Sequence, residues 1–198
     1  MPILLISGPS GSGKSSLIKR LFAEFDNLYF SISSTTRAPR EGEKDGVNYY
    51  FISKEEFEKG IANGEFLEWA CVHNNFYGTN LRPVKAALDA GKVVVFDIDV
   101  QGFELANKHY KDEITSVFLT TKDAQTLQER LSARGDESAQ SIQSRVANAK
   151  AEVAKAKQYD FIIVNEDLDE SYAKLRAIFL AMHSRVKHAD LDEILGAW

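Results

Sequence analysis

The chain has 198 residues, 44% hydrophobic and 11% aromatic, which suits one globular α/β domain and excludes a disordered or fibrous chain. Its net charge of −5 gives no global footprint for nucleic acid, so an anionic ligand has to be held by local groups. The lone Cys71 excludes an internal disulfide framework and a cysteine-based zinc site, and is expected as a small core residue. No apolar run approaches the ~18 residues that cross a bilayer. The start at Met1-Pro2 leads straight into an apolar run without a basic leader, so a cytosolic protein with no membrane partner is expected.

In chain order, Ile3–Ile6 reads as a buried strand, followed by the glycine-rich stretch GPSGSGKSS at positions 8–16. Residues 15–25 read as a helix with Leu17, Ile18, Leu21, Phe22 and Phe25 on one face. Further strands are expected at 28–32, at 93–96 ending on Asp97, at 116–119 and at 161–164. Helices are expected near 81–90, 101–109, 123–134, 138–157 and 168–187. The last of these would turn Tyr172, Leu175, Phe179, Met182 and Val186 inward, and the one before it would pack Ile142, Val146, Ala149, Val153 and Ala156. Near-continuous apolar strands alternating with helices predict a three-layer fold, a parallel sheet covered on both faces.

Residues 34–80 break that rhythm. They are polar, charged and aromatic, with strand-like pieces at 49–52 and 66–72 around a helix that Ser53 and Glu56 start with a capping box. An α+β lobe inserted into the sheet is expected. Residues 130–145 carry Arg130, Arg134 and Arg145 in a polar setting and read as a mobile segment between two helices.

Gly8, Gly13, Lys14 and Ser15 fit G-x-x-x-x-G-K-[ST], and a strand before and a helix after complete the context of a P-loop. Glycines let consecutive N–H groups turn onto a phosphate, and the helix N-terminus adds a positive dipole end. Gly8, Pro9, Ser10, Gly11, Ser12, Gly13, Lys14, Ser15 and Ser16 are therefore the expected cradle for the phosphates of Mg-ATP or Mg-GTP. Lys14 supplies a charge to the transferring phosphates. Ser15 and Asp97, the latter at a strand end, are the expected Mg²⁺ ligands. Arg37 and Arg40 flank Pro39 closely enough for two guanidinium forks to grip one phosphate, with Tyr49 and Tyr77 adding hydroxyls.

Taken together, GPSGSGKSS (8–16), SSTTRAPREGEKDGVNYYF (33–51), EFLEWA (65–70), YGT (77–79), DIDVQG (97–102), RLSARG (130–135) and Arg145 resemble the guanylate kinases, in that family's order. That resemblance implies a P-loop fold with a five-stranded parallel core (1–33, 81–129 and 146–198), a GMP-binding lobe (34–80) and a small lid (130–145). It implies transfer of a phosphoryl group from Mg-ATP to GMP, and to dGMP. It implies that Arg37, Arg40, Tyr49 and Tyr77 hold the GMP phosphate. Ser33, Glu68, Gly78, Thr79 and Asp99 would surround the guanine, although Asp99 would serve equally to hold an arginine. Arg130, Arg134 and Arg145 would join Lys14 at the transferring group, and Asn165 would lie near the adenine. Guanine offers two adjacent donors that one carboxylate accepts together, the role expected of Glu68, beside an acceptor for Ser33. His73, His109, His183 and His188 are assigned no part, since a GMP phosphate oxygen is already anionic near neutrality. Residues 187–198 match no motif of the family, and oligomeric state is not legible. Two other readings stand beside this one: a kinase of another nucleoside monophosphate, and a non-catalytic protein-interaction module, which typically has a degraded P-loop.

Overall fold

The computed structural model describes residues 2–72, 74–133, 138–186, 189 and 191–198. Arg134, His73 and His188 therefore lie outside the described residues. Strand β1 (Ile3–Ser7) is buried along its whole length. It leads through the glycine loop into α1 (Lys14–Glu24), which buries Leu17, Ile18 and Leu21. Strand β2 (Leu28–Phe30) follows, and then the short β3 (Ser34–Thr35) and β4 (Tyr50–Phe51). Helix α2 (Lys54–Ala62) begins with the expected reciprocal pair: Ser53 accepts from the Glu56 N–H, and the Glu56 carboxylate accepts from the Ser53 N–H. Strands β5 (Phe66–Val72) and β6 (Asn75–Asn80) form a hairpin. The chain then runs through α3 (Leu81–Asp89), β7 (Val93–Asp97), α4 (Val100–Tyr110), β8 (Ile114–Thr120), α5 (Ala124–Ser132), α6 (Ala139–Ala154), β9 (Phe161–Val164), α7 (Leu168–Met182) and α8 (Leu191–Gly196).

Two sheets result. The first is parallel and five-stranded, in the order β2-β7-β1-β8-β9. Its two faces carry separate clusters. One joins Leu4, Ile6, Val93 and Val95 to α1 and α7; the other joins Ile3, Leu5, Val94 and Phe96 to α3 and α4. Each such side chain is worth roughly 1.5–3 kcal/mol when taken fully from water. The second sheet, β4-β3-β6-β5, belongs to the 34–80 insertion. There Phe57 of α2 stacks on Phe66 and Phe76 at 4.2 and 5.2 Å. β1 lies between β7 and β8, and ligands in such sheets bind outside the strand C-termini where neighbouring connections part. The register pairs Ile6 with Asp97, which brings Asp97 beside the start of the glycine loop.

Several expectations are corrected. Cys71 is exposed, because β5 is the edge of the second sheet and Cys71 stands close to the hairpin tip at Asn74, whose φ is 64°. β2 stops at Phe30, and α7 stops at Met182, leaving Val186 beyond its end and exposed. α6 stops at Ala154; Ala156 falls in a 3₁₀ turn and Val153 is exposed, so only Ile142 and Ala149 of that stripe are buried. β9 is an edge strand, and Phe161, Ile162 and Val164 remain exposed. Of the segment 130–145, Arg130 lies in the last turn of α5 and Arg145 lies within α6, so the two arginines stand on helices rather than between them. Leu127, Leu131, Ile142 and Ala149 give these two helices a cluster of their own.

Candidate active site

The glycine loop is built by close approach. Gly8 has φ 142°, and a Cβ there would stand 1.9 Å from the Leu119 carbonyl oxygen on β8. Gly13, with φ 103°, caps α1; a Cβ would meet the Asn165 Nδ2 at 2.3 Å. No side chain caps α1 and no acid occupies its first turn, so its first N–H groups are left for an anion. Among the described residues no partner reaches the buried Ser12 Oγ. The Ser12 carbonyl, in contrast, is held from behind: Asn165 Nδ2 donates to it at 2.7 Å and Arg130 Nη1 at 3.4 Å. Arg130 Nη2 also donates to the Asn165 carbonyl at 2.8 Å. Asn165 is buried, and its amide braces the loop.

The loop opens into a cleft of about 370 Å³. Gly8, Ser10, Gly11, Gly13, Lys14 and Ser15 form one side; Asp97, Ile98, Asp99 and Glu152 form the other. The Lys14 Nζ donates to the Gly8 and Pro9 carbonyls at 2.6 and 3.3 Å and stands 4.0 Å from Asp97 Oδ1. Burial pushes the Asp97 carboxyl up, and the Lys14 ammonium opposes that shift. Arg145 reaches across from α6, donating to Ser10 Oγ at 2.8 Å. Among the described residues, no set of three acidic, histidine or cysteine side chains closes into a metal cage. Ser15 and Asp97 nevertheless offer hard oxygen donors in one cleft, which suits Mg²⁺, an ion usually held by one or two carboxylates and by substrate phosphates.

A second cavity of about 250 Å³ adjoins the first. Ser33, Tyr49, Glu68, Ala70, Tyr77 and Gly78 line it, and Asp97, Ile98 and Asp99 are walls of both cavities. Glu68 on β5 faces Thr79 on β6, whose hydroxyl donates to its Oε1 at 2.7 Å. Burial pushes the Glu68 carboxyl above the ordinary glutamate value of 4.5; the Thr79 hydroxyl opposes this and nearby Asp99 adds to it. Gly78 has to be small, since a Cβ would lie 2.7 Å from the Glu68 carbonyl oxygen. Asp99 turns out to be the N-cap of α4: its Oδ1 accepts from Gln101 N–H and Gly102 N–H at 2.9 and 2.8 Å.

The arginines of the lobe are held differently from one another. Arg37 forks onto Glu43 through two hydrogen bonds of 2.9 Å and lies over the Tyr49 and Phe51 rings at 5.5 and 5.7 Å. Tyr49 and Tyr77 meet edge to face at 6.0 Å. Arg40 is exposed, and its backbone N–H donates to the same Glu43 carboxylate at 2.7 Å. Sequence reasoning missed Glu43, which lies inside the quoted block and is betrayed only by its spacing from Arg37. It also missed Ile98 and Glu152. Ser16 is exposed at the start of α1. His183 ends α7, with its Nδ1 2.8 Å from the Phe179 carbonyl, and belongs to neither cavity.

A family model described as guanylate kinase matches residues 1–182. The guanylate kinase of Campylobacter jejuni (strain RM1221) is 55% identical over 197 residues, covering 99% of this chain and 96% of that protein. The guanylate kinase of Helicobacter pylori (strain 26695) is 47% identical over 196 residues, covering 99% and 95%. Among solved structures, the crystal structure of guanylate kinase from Anaplasma phagocytophilum superposes with a TM-score of 0.74 at 31% identity, covering 99% of this chain and 94% of that one.

Proposed function

The chain belongs to the guanylate kinase family, phosphotransferases that convert ATP and GMP to ADP and GDP, and we propose a division of that work between its two cavities. The cleft of the glycine loop takes the ATP phosphates, and the lobe cavity takes GMP. The observation that carries this reading is the shared wall: Asp97, Ile98 and Asp99 border both cavities, so ligands filling them meet end to end. Residues 34–80 act as the GMP lobe, 130–145 as the lid, and 1–33, 81–129 and 146–198 as the core.

The acceptor is a GMP phosphate oxygen. It attacks the γ-phosphorus in line; the bond from that phosphorus to the β,γ-bridging oxygen breaks, and ADP leaves. The attacking oxygen is already anionic, so no general base is required, and catalysis is positioning and charge stabilisation. Lys14 leaves the Gly8 and Pro9 carbonyls for the transferring phosphates. Arg145, Arg130 and Arg134 neutralise charge from the lid side. Ser15 and Asp97 would hold Mg²⁺, which would supply charge neutralisation to the transferring phosphates. Ser10, Gly11, Ser12, Gly13 and Ser16 offer N–H and hydroxyl groups, while Asn165 acts on ATP through the loop it braces.

On the acceptor side, ionised Glu68 takes both guanine donors, and Ser33 gives a hydrogen bond to O6. Adenine would leave these groups unpaired, which a site of buried polar groups rejects strongly. Asp99, Gly78 and Thr79 set the shape of that pocket, and Arg37, Arg40, Tyr49 and Tyr77 take the phosphate. The contacts read the base, so dGMP is a substrate as well. The intact loop speaks against the interaction-module reading. Within the described residues no helix is long and apolar enough to cross a membrane, and we infer a cytosolic site of action. ADP release in a coupled assay tests the whole reading: GMP and dGMP are expected to support turnover with Mg-ATP, and AMP and UMP to support little. Equal rates with AMP would overturn the base assignment, and no GMP-dependent rate would favour the interaction module.

A further inference from the structure

The cleft that receives a polyanion is lined by one ammonium, Lys14, and three carboxylates, Asp97, Asp99 and Glu152. Two of these acids have a partner close by: Asp97 lies 4.0 Å from Lys14, and Asp99 caps α4. Glu152 is different. It comes from α6, seven positions after Arg145, so the two residues share one face of that helix two turns apart. Arg145 reaches Ser10 at the loop, and Glu152 forms the cleft wall beyond it. Glu152 is half-buried, and it feels both the attraction of Lys14 and the repulsion of Asp99. One helix thus presents a cation and an anion, in that order, to the same nucleotide tail.

An anion at that position opposes a bare polyphosphate, and partial burial strengthens the repulsion by lowering the local dielectric. It does not oppose a polyphosphate whose charge a divalent cation has largely cancelled. We propose that Glu152 is a specificity-determining residue that makes the cleft discriminate against metal-free adenine nucleotide, so that the donor enters as its Mg²⁺ complex. This rests on the reading of the glycine-loop cleft as the ATP site. The consequence for the reaction is selection before chemistry: a donor lacking its metal is held too weakly to occupy the cleft and block it.

Equilibrium titration calorimetry of the full chain with ADP tests this, once with Mg²⁺ and once with EDTA. The quantity read is the ratio of the two dissociation constants. Glu152→Gln, which keeps shape and removes charge, is expected to shrink that ratio by about tenfold, mainly by tightening the metal-free complex. Glu152→Ala is expected to do the same, and Glu152→Asp to keep the wild-type ratio. Glu58→Gln on α2 removes the same charge far from the cleft and is expected to change nothing. A wild-type ratio in both Glu152→Gln and Glu152→Ala, or an equal shift in the two conditions, would overturn the inference while leaving the ATP assignment standing. Failure of the wild type to bind ADP in either condition would overturn the ATP assignment and the inference with it.

Discussion

The glycine-loop cleft and the cavity of the 34–80 lobe are built by opposite means. The loop side of the cleft is shaped by main chain, through contacts that leave no room for a Cβ, such as 1.9 Å from position 8 to Leu119 O. The central strands of the parallel sheet, β7, β1 and β8, are buried between two hydrophobic clusters. The lobe is lined by side chains, with a short mixed sheet beneath them, and its key groups are aimed by other side chains: Glu68 by Thr79, Arg37 by Glu43. A main-chain site is fixed by the fold and fails abruptly when space is taken from it. A side-chain site degrades by steps, one hydrogen bond at a time.

The sharpest way to break that contrast is at Lys14. Lys14→Ala is expected to lower kcat roughly 1,000-fold, the upper range for loss of one transition-state contact, with the Kd for GMP unchanged by calorimetry. Gly8→Ala follows, through structure rather than charge. Its clash is with backbone at φ 142°, so the loop has to move, and urea unfolding should register a loss of about 2–4 kcal/mol. In the lobe, Glu68→Gln is expected to cut kcat/KM for GMP roughly 10- to 100-fold, as for lost hydrogen bonds to a charged acceptor, with Mg-ADP affinity retained.

The same residue sharpens the comparison through pH. On the proposed assignment GMP binding needs ionised Glu68, and burial raises its carboxyl above 4.5, so KM for GMP should rise on acidification earlier than for an ordinary glutamate. Glu68→Gln should flatten that limb. For the unliganded fold the sign is reversed: burial of the ionised form is a cost that appears as pH rises through the folded-state value, and protonation relieves it. Smaller still, Glu43→Gln should raise KM for GMP about fivefold at most, because Arg37 keeps its ring contacts and loses only its fork. Cys71→Ser, at an exposed edge, should alter stability by no more than about 0.5 kcal/mol in the same urea titration.

What could be read from the chain alone divides along the same line. The loop was legible because Gly8, Gly13, Lys14 and Ser15 keep a fixed local spacing between a strand and a helix, although the contacts that demand glycine at 8 and 13 come from Leu119 and Asn165 far along the chain. The parallel sheet was legible because β1 and β7 are uninterrupted apolar runs. Glu152 carries no local mark; only the lie of α6 across the cleft turns it toward Lys14. The bracing of the loop by Asn165, whose amide donates to the Ser12 carbonyl, is equally invisible in the sequence, because the two residues are 153 positions apart. Cys71 and Val186 were misjudged because composition reports how apolar a residue is, and exposure at a sheet edge or past a helix end depends on what the rest of the chain happens to cover.

The strand end at positions 97–99 has one more implication. A partition wall common to two chambers cannot be moved to enlarge one without shrinking the other. If the two chambers take donor and acceptor as proposed, variation at Ile98 acts on both together, and adaptation to a bulkier acceptor has to come from the lobe side, at Ser33, Ala70 or Tyr77, where only one chamber feels the change.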